Sequence, residues 1–287
     1  MATSASAGFS TFLRWLTPSD IERSKASTHR ASIEAKLDNY FGLYRMFESG
    51  SLGNGTGVSG NSDTDLFASL KSSQPSLGSS SLSSVRDVLK ERFPTTPIYV
   101  RTPGVVLNFG SGFERVEVIP AYAVGTVNGF VKYSIPGVTS AWMESTPQAH
   151  LAYVNESNSK PNQGNAKALA RLLKAWKYYQ SVPISSFYLE MRAAAYIRRQ
   201  TTVIYWMDLY ILLAELQAAS LAAMNDPTGA TGSIQPCSSD ASKKDALSKL
   251  GTAVTRAKKA YDAERDDMTE IAFQYWDLLF GGMFPTY

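Results

Sequence analysis

A chain of 287 residues accommodates one large domain or two smaller lobes, and 44% hydrophobic with 18% charged residues allows a substantial buried core. The single Cys237 excludes a disulfide framework and any multi-cysteine zinc site, and it fits a reducing, cytoplasmic setting. A net charge of +3 without a polybasic run favours neither duplex nucleic acid nor an anionic membrane, and His29 and His150 stand too far apart in sequence to suggest a histidine-rich metal site.

From the start, Met1 to Phe9 lacks the basic stretch and apolar core of a secretion signal. Phe9, Phe12, Trp15 and Leu16 are anchors in an otherwise small, polar segment. Ser19 or Asp20 offers an N-cap to a long helix. Ile33, Leu37, Tyr40 or Phe41, Tyr44 and Phe47 recur on one face at helical spacing, a pattern that carries the helix directly to Gly50.

The stretch Gly50-Ser51-Leu52-Gly53-Asn54-Gly55-Thr56-Gly57 continues to Ser62-Asp63-Thr64-Asp65 and is too rich in glycine for a helix or strand before its acidic end. Gly50 permits close backbone approach to an anion, and Ser51 adds a hydroxyl beside N–H groups that can form an anion-binding nest. Asp63 and Asp65, two apart, leave a strand on the same face. Two carboxylates converging on one point need a cation between them, and Mg²⁺ prefers carboxylate and phosphate oxygen.

Leu66 to Leu70 completes a short strand. Residues 71–83 form a serine-rich loop, and Ser84 with Asp87 suggests the cap of a helix ending at Phe93 before Pro94 and Pro97. Two strand-like segments follow, Ile98 to Phe109 with a break at Pro103-Gly104, and Phe113 to Ala121 after a Gly110-Ser111-Gly112 turn. In the second, Glu117 lies on the face opposite Val116 and Val118; antiparallel neighbours would bring it beside Asp63 and Asp65 as a third ligand.

Asn155 to Asn165 reads as a linker, so residues 1–160 form one lobe and 161–287 a second, all-helical one. Lys167, Arg171 and Lys174 make a basic stripe opposite Leu169, Leu172, Leu173 and Trp176. Further helices span Thr201–Asn225, Asp240–Ala263 and Met268–Phe280. Asp208, Glu215 and Gln217 interrupt the apolar run Val203 to Met224, which therefore reads as a buried helix rather than a membrane span.

The Gly50-Ser51 turn, the inner Gly55-Thr56 and the Ser62-Asp63-Thr64-Asp65 ending resemble the signature of DNA polymerase β-like nucleotidyltransferases, and specifically the bacterial relatives of cyclic GMP–AMP synthase, the CD-NTases. Val116-Glu117-Val118-Ile119-Pro120-Ala121 resembles their third-acid strand, with glutamate where aspartate is usual. Leu172-Leu173-Lys174-Ala175-Trp176-Lys177, Ile184-Ser185-Ser186-Phe187-Tyr188-Leu189-Glu190 and the close Trp276 to Pro285 resemble their later motifs. The resemblance implies an α+β fold of two lobes: a mixed nucleotidyltransferase sheet with flanking helices, and a helical C-terminal lobe that closes the nucleotide cleft. It also implies two Mg²⁺ (or Mn²⁺) ions on Asp63, Asp65 and Glu117, and a donor triphosphate held by Gly50, Ser51, Lys174 and Ser186, with Leu189 and Glu190 structural.

The implied activity joins ATP or other NTPs into a cyclic di- or trinucleotide with release of pyrophosphate. The product would signal to a nucleotide-activated effector in bacterial antiphage defence of the CBASS type. Two alternatives stand beside it: a catalytically silent nucleotide-binding relative, motivated by Glu117, and a transferase that nucleotidylates a protein.

Overall fold

The computed structural model describes residues 4–110, 114–138, 140–159 and 164–287. The chain divides into two compact units. A sheet unit comprises Pro18–Gly55 and Ser62–Ala152; a helical unit comprises Met1–Thr17, Thr56–Asn61 and Tyr153–Tyr287.

The helical unit begins the chain. α1 (Ala5–Leu16) is capped by the Ser4 side chain, which accepts from Ala7 N, and it buries Phe9, Phe12 and Leu16. These residues pack in the same apolar core as the C-terminal helices.

In the sheet unit, α2 (Asp20–Phe41) starts at a Ser19 cap, where Ser19 and Glu22 bond each other reciprocally. It ends at Gly42, whose φ of +66° suits a residue without Cβ. The helix therefore does not reach Gly50: Leu43–Ser49 is strand β1, and Tyr44 and Phe47 lie on it. Tyr44 and Phe47, three apart, would share a face on a helix and leave opposite faces of the strand; Gly42 ends the helix before either is reached.

Four residues, Gly50–Gly53, form the short helix α3 where a loop is expected. β2 (Thr64–Leu70) follows, then α4 (Gly78–Arg92). The latter begins within the serine-rich stretch, so Ser84 is internal to the helix rather than its cap.

The remaining strands are β3 (Ile98–Arg101), β4 (Gly104–Phe109), β5 (Glu114–Val127), β6 (Phe130–Pro136) and β7 (Trp142–Ser145). Ser111, Gly112 and Phe113 of the expected turn lie outside the described residues. The sequence reading has no counterpart for β6 and β7.

The strands form one seven-stranded mixed sheet in which β1-β2-β5-β4-β3 are neighbours and β6 joins β5 to β7. Its two faces differ in chemistry. On one, Leu66, Ala68, Leu70, Val116, Val118, Val105 and Leu107 pack with Ile33 and Leu37 of α2 and with Leu82, Val85, Val88 and Leu89 of α4. On the other, Phe67, Ile119, Ala121, Tyr133 and Ile135 form a smaller cluster. Strand alternation places Asp65 and Glu117 on this second face. α5 (Pro147–Ser157) occupies part of the expected linker, and Lys160 to Gln163 are outside the described residues.

The rest of the helical unit holds α6 (Asn165–Tyr179), α7 (Ser186–Ile197), α8 (Tyr205–Ala218), a two-stranded ribbon of β8 (Met224–Asn225) and β9 (Ser233–Ile234), α9 (Asp240–Arg265) and α10 (Thr269–Leu279). The C-terminal motif is core: Trp276 meets Phe9 at a ring separation of 5.0 Å, and Phe280 meets Phe12 at 4.5 Å. Asp208, the charge that argues against a membrane span, is buried and accepts from the Tyr196 hydroxyl at 2.6 Å. Among the described residues no helix is long and apolar enough to cross a membrane.

Candidate active site

The acids of the sheet unit owe their placement to strand register. β2 and β5 run parallel, not antiparallel as expected, and Asp65 is the direct register partner of Glu117. Parallel partners project from the same side, so the two carboxylates stand next to each other. Asp63 precedes β2 by one residue. Behind the pair, Ser49 is the antiparallel partner of Asp65 on β1, which brings the start of α3 against the acidic end of β2.

Two glycines make room for the acids. A Cβ on Gly50 would lie 1.8 Å from Asp65 Oδ2, and the residue has φ +57°. The anion that Gly50 admits is thus a side chain of the protein itself. A Cβ on Gly104 would lie 2.6 Å from Glu117 Cγ and 2.8 Å from Oε1.

Gly50→Ala is expected to displace the Asp65 carboxylate by about 1 Å and lower kcat roughly 10²-fold, with about 1–2 kcal/mol of stability lost to the left-handed backbone. Pyrophosphate release and thermal unfolding measure the two effects separately. Wild-type kcat in the variant would remove Asp65 from the reaction.

Two arginines face the acids, and the sequence reading missed both. Arg115 Nη2 is 2.9 Å from Asp63 Oδ2, and Arg101 Nη2 is 3.8 Å from the same oxygen. Arg101 also donates to Glu117 Oε2. Partial burial works against the Arg101 charge, but the bond to Glu117 and the fields of Glu117 and Asp63 hold its pKa above the ordinary value. The available signal was local: Arg115 lies two residues before Glu117, and Arg101 precedes the Thr102-Pro103 break between paired strands. Among the described residues no three acidic, histidine or cysteine side chains converge as a finished metal cage. The donor set itself, three carboxylates with two in strand register, offers the all-oxygen ligation that hard divalent cations take.

In the helical unit, Lys174, expected at the triphosphate, is enclosed by its neighbours. Its side chain is 0% exposed, its Nζ donates to Thr56 Oγ1 at 3.1 Å, and it lies 3.6 Å from Glu190 Oε2. Thr56 in turn donates to Glu190 Oε2 at 2.7 Å. A lysine enclosed in this way holds the glycine-rich segment to α6 and α7. Arg171 of the same stripe donates to the Gly57 carbonyl at 2.9 Å. One helical turn on, Lys177 Nζ donates to Ser186 Oγ at 2.6 Å, and this pair is only partly buried. The motif contains both lysines, and only packing distinguishes the internal one. Ser51 lies within α3, half-buried.

The sequence matches the family model described as "Second Messenger Oligonucleotide or Dinucleotide Synthetase domain" (SMODS) over residues 1–158. A comparison with curated proteins finds no match. Among solved structures, CdnC of E. coli MS115-1 with ATP is 17% identical, with 97% of this chain and 98% of that chain covered at a TM-score of 0.76. CdnG of Bradyrhizobium diazoefficiens, a CD-NTase in complex with GTP, is 10% identical over 96% of this chain and 98% of that one, at a TM-score of 0.74. A mutant of the Vibrio cholerae di-nucleotide cyclase DncV is 14% identical over 95% and 93%, at a TM-score of 0.72. These likenesses establish the fold, and the domain match, which spans more than half of the sequence, establishes the family. The chain belongs to the second messenger oligonucleotide or dinucleotide synthetases, the bacterial CD-NTase group of nucleotidyltransferases.

Proposed function

We propose that the protein joins NTPs into a cyclic di- or trinucleotide with release of pyrophosphate, as the signal-producing step of a CBASS-type antiphage response in the bacterial cytoplasm. The observation that supports this most directly is the in-register placement of Asp65 and Glu117 on parallel strands, with Asp63 immediately before β2 and Gly50 shaped around Asp65. ATP accompanies E. coli CdnC and GTP accompanies CdnG. NTPs of this kind are the substrates proposed here, and the product would act on a nucleotide-activated effector.

In this reading Asp63, Asp65 and Glu117 would hold Mg²⁺ or Mn²⁺, two ions in all. When bound, such cations would lower the pKa of the acceptor hydroxyl and offset charge on the leaving pyrophosphate. The acceptor ribose oxygen forms a bond to the α-phosphorus, the α–β phosphoanhydride bond breaks, and the hydroxyl proton passes to the Glu117 carboxylate and on to solvent. Gly50 and Ser51 are proposed as phosphate contacts of the sheet unit, and Ser186 and Lys177 as phosphate contacts of the helical unit. Lys177 takes the role expected of Lys174, because Lys174 is enclosed. A second round within the linear product closes the ring.

Incubation of the purified protein with all four NTPs and Mg²⁺ or Mn²⁺, followed by mass spectrometry, is expected to give a phosphatase-resistant cyclic product. One observation favours a second reading, a nucleotide binder without turnover: Arg101 already engages Glu117. Saturable NTP binding with no pyrophosphate would establish that reading. Label transferred to protein would indicate a protein-nucleotidylating transferase.

A further inference from the structure

The sheet unit answers its own acidic cluster with guanidinium groups. Arg115 pairs with Asp63, and Arg101 bridges Asp63 and Glu117 from the end of β3. The two sides of the Arg101–Glu117 contact are unequal. The Glu117 side chain is 7% exposed and seated on the bare backbone of Gly104, whereas the Arg101 side chain is 48% exposed. Arg101 and Gly104 are themselves register partners across β3 and β4, and Val106 is the partner of Glu117 across β4 and β5. The long acid, the glycine beneath it and the arginine over it therefore form a fitted set.

Of this set only Arg101 has room to move. It lies on an edge strand with solvent on one side, while Glu117 is enclosed on β5 between β2 and β4. A guanidinium and a divalent cation cannot both occupy the space between the Glu117 and Asp63 oxygens, because like charges at that separation repel.

We propose that Arg101 is a positioning residue that competes with divalent cations for Glu117 and Asp63. It holds the Glu117 carboxylate in place while no cation is bound, and it swings towards solvent when a cation enters. This rests on the reading of Asp63, Asp65 and Glu117 as the cation ligands. Once released, Arg101 is a cation without its carboxylates, and a polyphosphate is the natural replacement partner for a guanidinium. Cation loading is then favoured by the arrival of nucleotide, and nucleotide binding by the arrival of cation, as linkage requires.

The test is Mn²⁺ binding to the nucleotide-free, full-length protein, followed by electron paramagnetic resonance of free Mn²⁺. Arg101→Gln is expected to bind Mn²⁺ about 10-fold more tightly than wild type, since one positive charge beside the ligands is gone. Its gain in melting temperature on adding Mn²⁺ should exceed that of wild type, because tighter binding to the native state gives more stabilisation. Arg101→Lys keeps the charge but not the planar bridge, and is expected to fall between the two, about 3-fold tighter than wild type.

Unchanged or weaker Mn²⁺ affinity in a folded Arg101→Gln protein overturns the proposal. If that variant does not fold, unchanged affinity in Arg101→Lys overturns it. Asp63→Asn with Asp65→Asn, in the presence of the native arginine, separates the two claims. Loss of Mn²⁺ binding there supports the ligand reading, and retained binding refutes that reading independently of Arg101.

Discussion

Replacing Asp63 and Asp65 together by alanine is expected to abolish pyrophosphate release while the protein remains folded. The loss should be about 10³-fold or more, the scale seen when a group that stabilises transition-state charge is removed. Folding should survive because neither acid supports the apolar cores. The Asp63 side chain is 29% exposed and outside β2, and its removal leaves Arg115 with partial access to water. Asp65 lies on the face away from α2 and α4, and its truncation relieves the close approach to Gly50. Circular dichroism and thermal unfolding report the fold, and a pyrophosphate assay the activity. Product formed at the wild-type rate by a folded double variant would remove the acids from the chemistry and, with them, the case for turnover at this end of the sheet.

Lys174→Met carries the second large effect, and it falls on stability. Removing one member of a buried ion pair leaves the other uncompensated, at a cost of about 3–5 kcal/mol. In this protein Glu190 would lose the nearby ammonium while still accepting from Thr56, and the segment Thr56–Asn61 would lose one of its ties to α6. A fall of roughly 10 °C in melting temperature is expected, taking about 2–4 °C per kcal/mol for domains of this size.

Adding Glu190→Gln should recover part of the loss, because a neutral amide oxygen still accepts from Thr56 without a buried charge. Lys177→Ala serves as the contrast, with a higher KM for NTP and little change in melting temperature. A Lys174→Met protein that melts normally but shows the raised KM would reverse the two assignments.

How far the sequence alone reached can be judged at particular residues. Asp65 and Glu117, which the register places side by side, were each legible from local features: the Asp-x-Asp spacing, the β-branched neighbours and the glycine-rich approach. So were the Ser19 cap and the helices from Asn165 onward, which rest on capping chemistry and period. β1 was not: Tyr44 and Phe47, three apart, continue the helical spacing of Ile33 and Leu37, and only the backbone at Gly42 ends the helix before them. The direction of β2 against β5 was also beyond local pattern, since a strand carries the same alternation in a parallel or an antiparallel pair. Lys174 and Lys177 are both lysines on one amphipathic helix, and which of them is enclosed depends on Thr56 and Glu190, 118 and 16 positions away from Lys174.

What the order of residues settled by itself, then, was local: the spacing of the acids, the glycine-rich turn before them and a mixed sheet followed by helices, all short-range properties of neighbouring side chains. Tertiary structure alone decided which charges face one another. The Arg101 bridge to Glu117 and Asp63, the glycines cleared beneath Asp65 and Glu117, and the enclosure of Lys174 all join residues distant in the chain. Electrostatic pairing depends on separation in space, which no local pattern encodes.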